Sequence, residues 1–180
     1  MVSYATPSFV GHSLWLCPSP NSDLFTNLIQ EIATACKTPV FPPHVTLLAG
    51  ASLPEGQLLD RCRGLAAKLQ PATLKVTEVA SKDLYFQCVF ALLAKDESLL
   101  SWRRLASEAF EEQECDLNAF MPHLSLAYGD IDDATKRQIR ADVEGAVIGC
   151  SFEVEALEVW CTQGRVEEWR QVARLPFTGS

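Results

Sequence analysis

The chain has 180 residues, and 15 Lys and Arg set against 23 Asp and Glu leave a formal charge of −8 at neutral pH. Proteins that grip long nucleic acid displace phosphate counterions with clustered cations, so this balance disfavours that class, although a local pocket of donors can still hold a small ligand bearing a few phosphates. With 48% hydrophobic and 21% charged residues the composition is that of a globular chain rather than a disordered one, and no apolar run reaches the roughly 18–20 residues of a membrane span.

In chain order, positions 1–12 lack the basic stretch and apolar block of a secretory signal, which places the expected compartment in the cytoplasm. A strand is expected over 12–17, closed by Pro18. Ser22 is positioned to cap a helix whose Leu24, Phe25, Leu28, Ile29 and Ile32 recur at helical spacing and form one buried face. Pro39, Pro42 and Pro43 end that helix and impose extended backbone, leading into a strand over 44–48. Ser52 and Glu55 match a capping box with Pro54 in the first turn, predicting a second helix to position 69, stopped before Pro71.

Strand-like runs over 73–79 and 84–93 flank a connector at 80–83 that is short enough for an antiparallel hairpin. Alternation in the second run would put Tyr85 with Gln87 on one face and Phe86 with Cys88 on the other. A third helix is predicted over 96–111, then a strand over 123–128 after Pro122, and a fourth helix from Asp132 or Asp133 to Val143. Strands over 152–162 and 169–177, joined near Gly164, complete the chain. Hairpins mixed with strand–helix alternation favour an α+β fold.

Seven Cys occur, none in a C-x-x-C pattern, and the three His at positions 12, 44 and 123 are too scattered for zinc-site spacing. No metal or other cofactor is expected, and the Cys read mainly as small buried hydrophobes.

One phrase occurs twice, Pro43-His44-Val45-Thr46-Leu47 and Pro122-His123-Leu124-Ser125-Leu126, with the His 79 residues apart. In a strand, residues i and i+2 share a face, so His44 sides with Thr46 and His123 with Ser125, while the aliphatic residues point the other way. Proline cannot donate to a sheet ladder and so belongs at the strand's start, which leaves each imidazole at the mouth of the sheet. If the two halves pack about a pseudo-twofold axis, two imidazoles and two hydroxyls converge on one cleft. That set suits a phosphate ester: one imidazole takes a proton from water, the other gives one to the leaving oxygen, and the hydroxyls donate to non-bridging oxygens. A single His-x-Thr or His-x-Ser strand is more often structural; the repeat is what argues for chemistry. His12 lies outside the motif and is expected in a surface or strand-edge role.

At these residues the chain resembles the 2H phosphoesterase superfamily, defined by two His-x-Thr/Ser motifs, and within it the cyclic phosphodiesterases of plants and fungi. Trp15 within Ser13-Leu14-Trp15-Leu16-Cys17-Pro18, the run Phe41-Pro42-Pro43-His44-Val45-Thr46, the run Tyr85-Phe86-Gln87-Cys88-Val89-Phe90, and Phe120-Met121-Pro122 leading into the second motif carry the likeness. The resemblance implies one bilobal domain over 1–180, α+β, with two antiparallel sheets related by pseudo-twofold symmetry around a central cleft and helices outside.

It further implies hydrolysis of ADP-ribose 1″,2″-cyclic phosphate and of nucleoside 2′,3′-cyclic phosphates, downstream of tRNA splicing, with the alternatives of an enzyme acting on RNA termini or a non-catalytic nucleotide-binding module. His44, His123, Thr46 and Ser125 carry over as the catalytic set. Tyr128 and Trp15 carry over as substrate-binding aromatics, Trp15 near the nucleotide. The working mechanism makes His123 the base for water and His44 the acid for the leaving oxygen. The expected partner is a small cyclic nucleotide, with no long nucleic acid and no membrane, and the expected state is a monomer. Plant members can form a disulfide through a Cys near the C-terminus, but the last Cys here is Cys161, so that bridge and any redox gating built on it are not carried over.

Overall fold

The computed structural model describes residues 10–19, 23–112 and 115–179. Among them run β1 (His12–Leu16), α1 (Leu24–Cys36), β2 (Val45–Ala51), α2 (Glu55–Ala66), β3 (Ala72–Ser81), β4 (Val89–Leu93), α3 (Glu97–Ala109), β5 (His123–Ala127), α4 (Asp133–Val147), β6 (Ser151–Val154), β7 (Ala156–Cys161) and β8 (Arg170–Pro176). Short 3₁₀ turns at Tyr85–Gln87 and Val166–Glu168 lie between β3 and β4 and between β7 and β8.

The strands form an antiparallel sheet in the order β6-β3-β4-β5-β2-β1-β7-β8. Its middle is thin: β2 and β5 meet through one residue pair, Val45 opposite Leu124. The sheet therefore divides into two four-stranded halves, each bordered at the seam by one motif strand. The series β1-α1-β2-α2-β3 has its counterpart in β4-α3-β5-α4-β7, and the halves exchange parts. β3 pairs with β4 and β7 pairs with β1. Likewise α1 packs on β5 and α3 on β2, while α4 covers β3 and β4, and α2 covers β7 and β8. The fold is α+β, as the sequence led us to expect, with the pseudo-twofold halves knit by strand exchange rather than laid side by side.

Alternation in the two motif strands sets the cleft. Val45, Leu47, Leu124 and Leu126 are at most 2% exposed in the core; burying each contributes about 1.5–3 kcal/mol. A one-residue slip would put imidazoles into that core, so the hydrophobic partners hold the polar ones in place.

Several boundaries differ from expectation. Ser22 lies outside the described residues, and Asp23, at the N-cap of α1, makes no side-chain capping bond. Ser52 does not cap α2: Pro54 holds the N-cap position with extended backbone (ψ 136°) and the helix starts at Glu55, because Pro54 fits an entry rather than an interior. The helix also ends at Ala66, before Leu69. The run at 84–93 is not one strand: its first half is the 3₁₀ turn at Tyr85–Gln87, where Lys82 N bonds to Gln87 O at 3.0 Å. The proposed face pairing of residues 85–88 is therefore wrong. The run at 152–162 is two strands broken at Glu155, because β6 pairs with β3 in one half and β7 with β1 in the other. The Asp96 and Asp132 side chains cap α3 and α4.

Candidate active site

Both imidazoles are held by the same local device. His44 stands one residue before β2 and His123 is the first residue of β5. His44 Nδ1 donates to Pro42 O at 2.6 Å and His123 Nδ1 donates to Met121 O at 2.9 Å. In each case the acceptor is the carbonyl two residues earlier. A carbonyl can only accept, so each Nδ1 carries the proton and each Nε2 is left as the titrating nitrogen.

The surroundings of the two rings differ. Trp15 lies opposite Thr46 in the β1–β2 register, and Phe90 lies opposite Ser125 in the β4–β5 register, so the two aromatics occupy matching places in the two halves. Trp15 stacks face to face on His44, with centroids 3.5 Å apart and planes 8° from parallel. Phe90 meets His123 at 5.2 Å and 66°. Burial pushes His44 down to about 3, against the opposing pull of the Pro42 carbonyl and with a smaller push from the His123 charge. His123 is also lowered, first by burial and then by the nearby Lys82 ammonium, with the Met121 carbonyl opposing.

Tyr128 is buried, stacked on Phe41 at 3.7 Å, and its hydroxyl lies 3.4 Å from His44 Nε2. Burial raises its pKa while a bond with Ser125 lowers it. The Ser125 hydroxyl donates to Phe86 O at 3.1 Å, so giving that proton to a phosphate oxygen requires the hydroxyl to rotate away from the 3₁₀ turn.

His44, Thr46, His123, Ser125, Tyr128 and Trp15 all line one cleft of about 170 Å³. Trp15 is there in an unexpected capacity. It is 1% exposed, with His44 on one side and Trp160 stacked at 4.6 Å, which leaves its faces poorly placed to receive a base.

Other lining residues were not singled out in the sequence, apart from Phe86 and Gln87, which lie in the run 85–90 that carries the family likeness. Ser13 sits two positions before Trp15, so strand alternation alone would have aimed it at the cleft. Its hydroxyl bonds Thr162 at 2.9 Å, a pairing across 149 residues that no local pattern shows. Phe86 and Trp169, with rings 6.0 Å apart and 27° from parallel, come from or directly follow the two 3₁₀ turns, which carry no periodic signal. His12 lies away from the cleft, with Nε2 3.9 Å from Glu55. The described Cys are all free thiols, and burial pushes Cys62 up to about 12.

The family model for cyclic phosphodiesterase-like proteins matches residues 10–177. A relative from Arabidopsis thaliana named cyclic phosphodiesterase is 26% identical over 90% of this chain and 92% of its own. A Kluyveromyces lactis protein named 2′,3′-cyclic-nucleotide 3′-phosphodiesterase is 28% identical over 94% of this chain and 100% of its own. In fold, the chain is similar to E. coli LigT, solved in complex with 3′-AMP, with a TM-score of 0.60 and 11% identity over 93% of this chain and 98% of LigT. Among the described residues, no helix is long and apolar enough to cross a membrane.

Proposed function

Because the chain belongs to the cyclic phosphodiesterase-like family, we propose that it hydrolyses cyclic phosphodiesters of small nucleotides by acid–base chemistry between His44 and His123. The observation that carries this reading is the doubled tether: two Nδ1–H groups held by carbonyls, with two Nε2 atoms left to move protons in one cleft. Thr46 and Ser125 hold the non-bridging oxygens, and Tyr128 supplies a third hydroxyl beside His44. The substrates are ADP-ribose 1″,2″-cyclic phosphate, opened to the 1″-phosphate, and nucleoside 2′,3′-cyclic phosphates, opened to 2′-phosphates, in the processing that follows tRNA splicing. The names of the Arabidopsis and Kluyveromyces relatives support that substrate class.

The surroundings support His123 as base and His44 as acid. The Lys82 charge beside His123 favours its neutral form, the form a base needs. His44 is neutral in the open cleft chiefly because burial penalises its charge, and an anionic ester lying against it offsets that penalty. Since the chain supplies both proton-transfer groups, each worth about 10²–10⁴ in rate, the reaction needs no metal. The test is a panel of ADP-ribose 1″,2″-cyclic phosphate, the four nucleoside 2′,3′-cyclic phosphates and an RNA oligomer with a cyclic end, each with and without EDTA. Turnover of the small substrates that EDTA leaves unchanged, with 2′-phosphate products, is expected; loss of turnover on chelation would contradict the metal-free mechanism.

A further inference from the structure

Lys82 follows β3 directly and is exposed. Its Nζ donates to Gln87 Oε1 at 3.1 Å and to Met121 Sδ at 3.5 Å, and lies 6.0 Å over the Phe90 ring. Each of these partners touches the site. Gln87 lines the cleft, the Met121 carbonyl tethers His123, and Phe90 packs against the same imidazole. The neighbouring carboxylate, Asp83, is bound instead by Lys136. Among the described residues, Lys82 forms no ion pair with a carboxylate within 4.0 Å. On a chain of net charge −8, this exposed ammonium, hydrogen-bonded to an amide and a thioether rather than paired with a carboxylate, keeps its charge for a further anion.

We infer that Lys82 forms a second anion subsite, taking a substrate phosphate other than the one being hydrolysed and making the enzyme prefer cyclic phosphodiesters that carry one. This rests on the cyclic phosphodiesterase reading above and adds a specificity determinant to it. With the cyclic phosphate between the two Nε2 atoms, the next phosphate of a nucleotide lies a ribose away. The recognising chemistry is the same for a 5′-phosphate, a pyrophosphate or the internucleotide phosphate of an RNA end.

The matched substrates are adenosine 2′,3′-cyclic phosphate with and without a 5′-phosphate, assayed with wild type, Lys82→Gln and Lys82→Arg. The wild type is expected to favour the 5′-phosphorylated substrate in kcat/KM, by an advantage that shrinks with added salt. Lys82→Gln should cut that advantage about tenfold, and Lys82→Arg should keep most of it. Equal losses on both substrates would assign Lys82 an influence on His123 alone and overturn the subsite, as would a wild type with no advantage. ADP-ribose 1″,2″-cyclic phosphate and a dinucleotide with a cyclic end, run in parallel, tell a pyrophosphate from an internucleotide phosphate. Calorimetry with adenosine 2′-phosphate and adenosine 2′,5′-bisphosphate reads the subsite without turnover. A bisphosphate preference lost in Lys82→Gln supports it even if the wild type opens no cyclic substrate, an outcome that would count against the hydrolase reading alone.

Discussion

His44 is the side chain on which stability and chemistry pull apart. Its imidazole is held down to about 3 in the folded protein, mainly by burial, against about 6.5 in an unfolded chain. Between those values the unfolded state binds more protons, so the contribution is complete above pH 6.5 and is lost as pH falls towards 3. At about 1.4 kcal/mol per pH unit, roughly 2–3 kcal/mol should be gone by pH 4.5. Urea unfolding from pH 7.5 to 4.5 should therefore be flatter in His44→Gln than in wild type, and parallel curves would mean that His44 is not held neutral. The same environment bears on rate. With both imidazoles pushed down in the open cleft, the acid must gain its proton to react, so kcat/KM should rise as pH is lowered from 8 to 6. The two His-x-Thr/Ser pairs were legible from the sequence because strand alternation is a two-residue rule. The stack of Trp15 on His44 was not, because it depends on how β1 lies against β2.

Among the elements, the connection from β3 to β4 does most for the site and showed least in the sequence. Its residues Leu84, Tyr85 and Phe86 look like strand composition, yet the hydrogen bonds of Lys82 close a 3₁₀ turn that presents the Phe86 carbonyl to Ser125. Tertiary contacts decide here: Asp83 is clamped by Lys136 of α4, which is itself 5% exposed and also bonds Asp133 at 2.8 Å. Lys136→Met should release the turn. Amide exchange at Gln87, whose N–H bonds Leu84 O at 3.0 Å, should quicken, and KM should rise several-fold. Global stability should change by about 1 kcal/mol or less, because the Asp83 partner is solvent-exposed. Unchanged exchange at Gln87 would show that the turn holds itself. The helices, by contrast, were readable to within a turn at most ends, since α1 and α3 declare their buried faces at helical spacing and the starts expected at Asp96 and at Asp132 or Asp133 lie within a residue of those observed.

For the molecule as a whole, the repeat in the sequence anticipated the pseudo-twofold cleft, but not the exchange of β3 and β7 or the break at Glu155 that permits it. Those depend on pairings between distant segments, which local pattern does not encode. Exchange has a mechanical consequence: neither half can unfold and leave the other intact. Far-UV circular dichroism and the fluorescence of Trp15, Trp102, Trp160 and Trp169 should follow one coincident denaturation transition; two separated transitions would mean that the halves are independent. The two halves meet at the seam pair Val45 and Leu124, next to which His44 and His123 line one cleft. The direct measurement is steady-state turnover of a nucleoside 2′,3′-cyclic phosphate by His44→Ala and His123→Ala, each shown by circular dichroism to be folded. Each variant is expected to lose about 10²–10⁴-fold in kcat, and near-normal turnover in either folded variant would contradict paired acid–base catalysis by the two imidazoles.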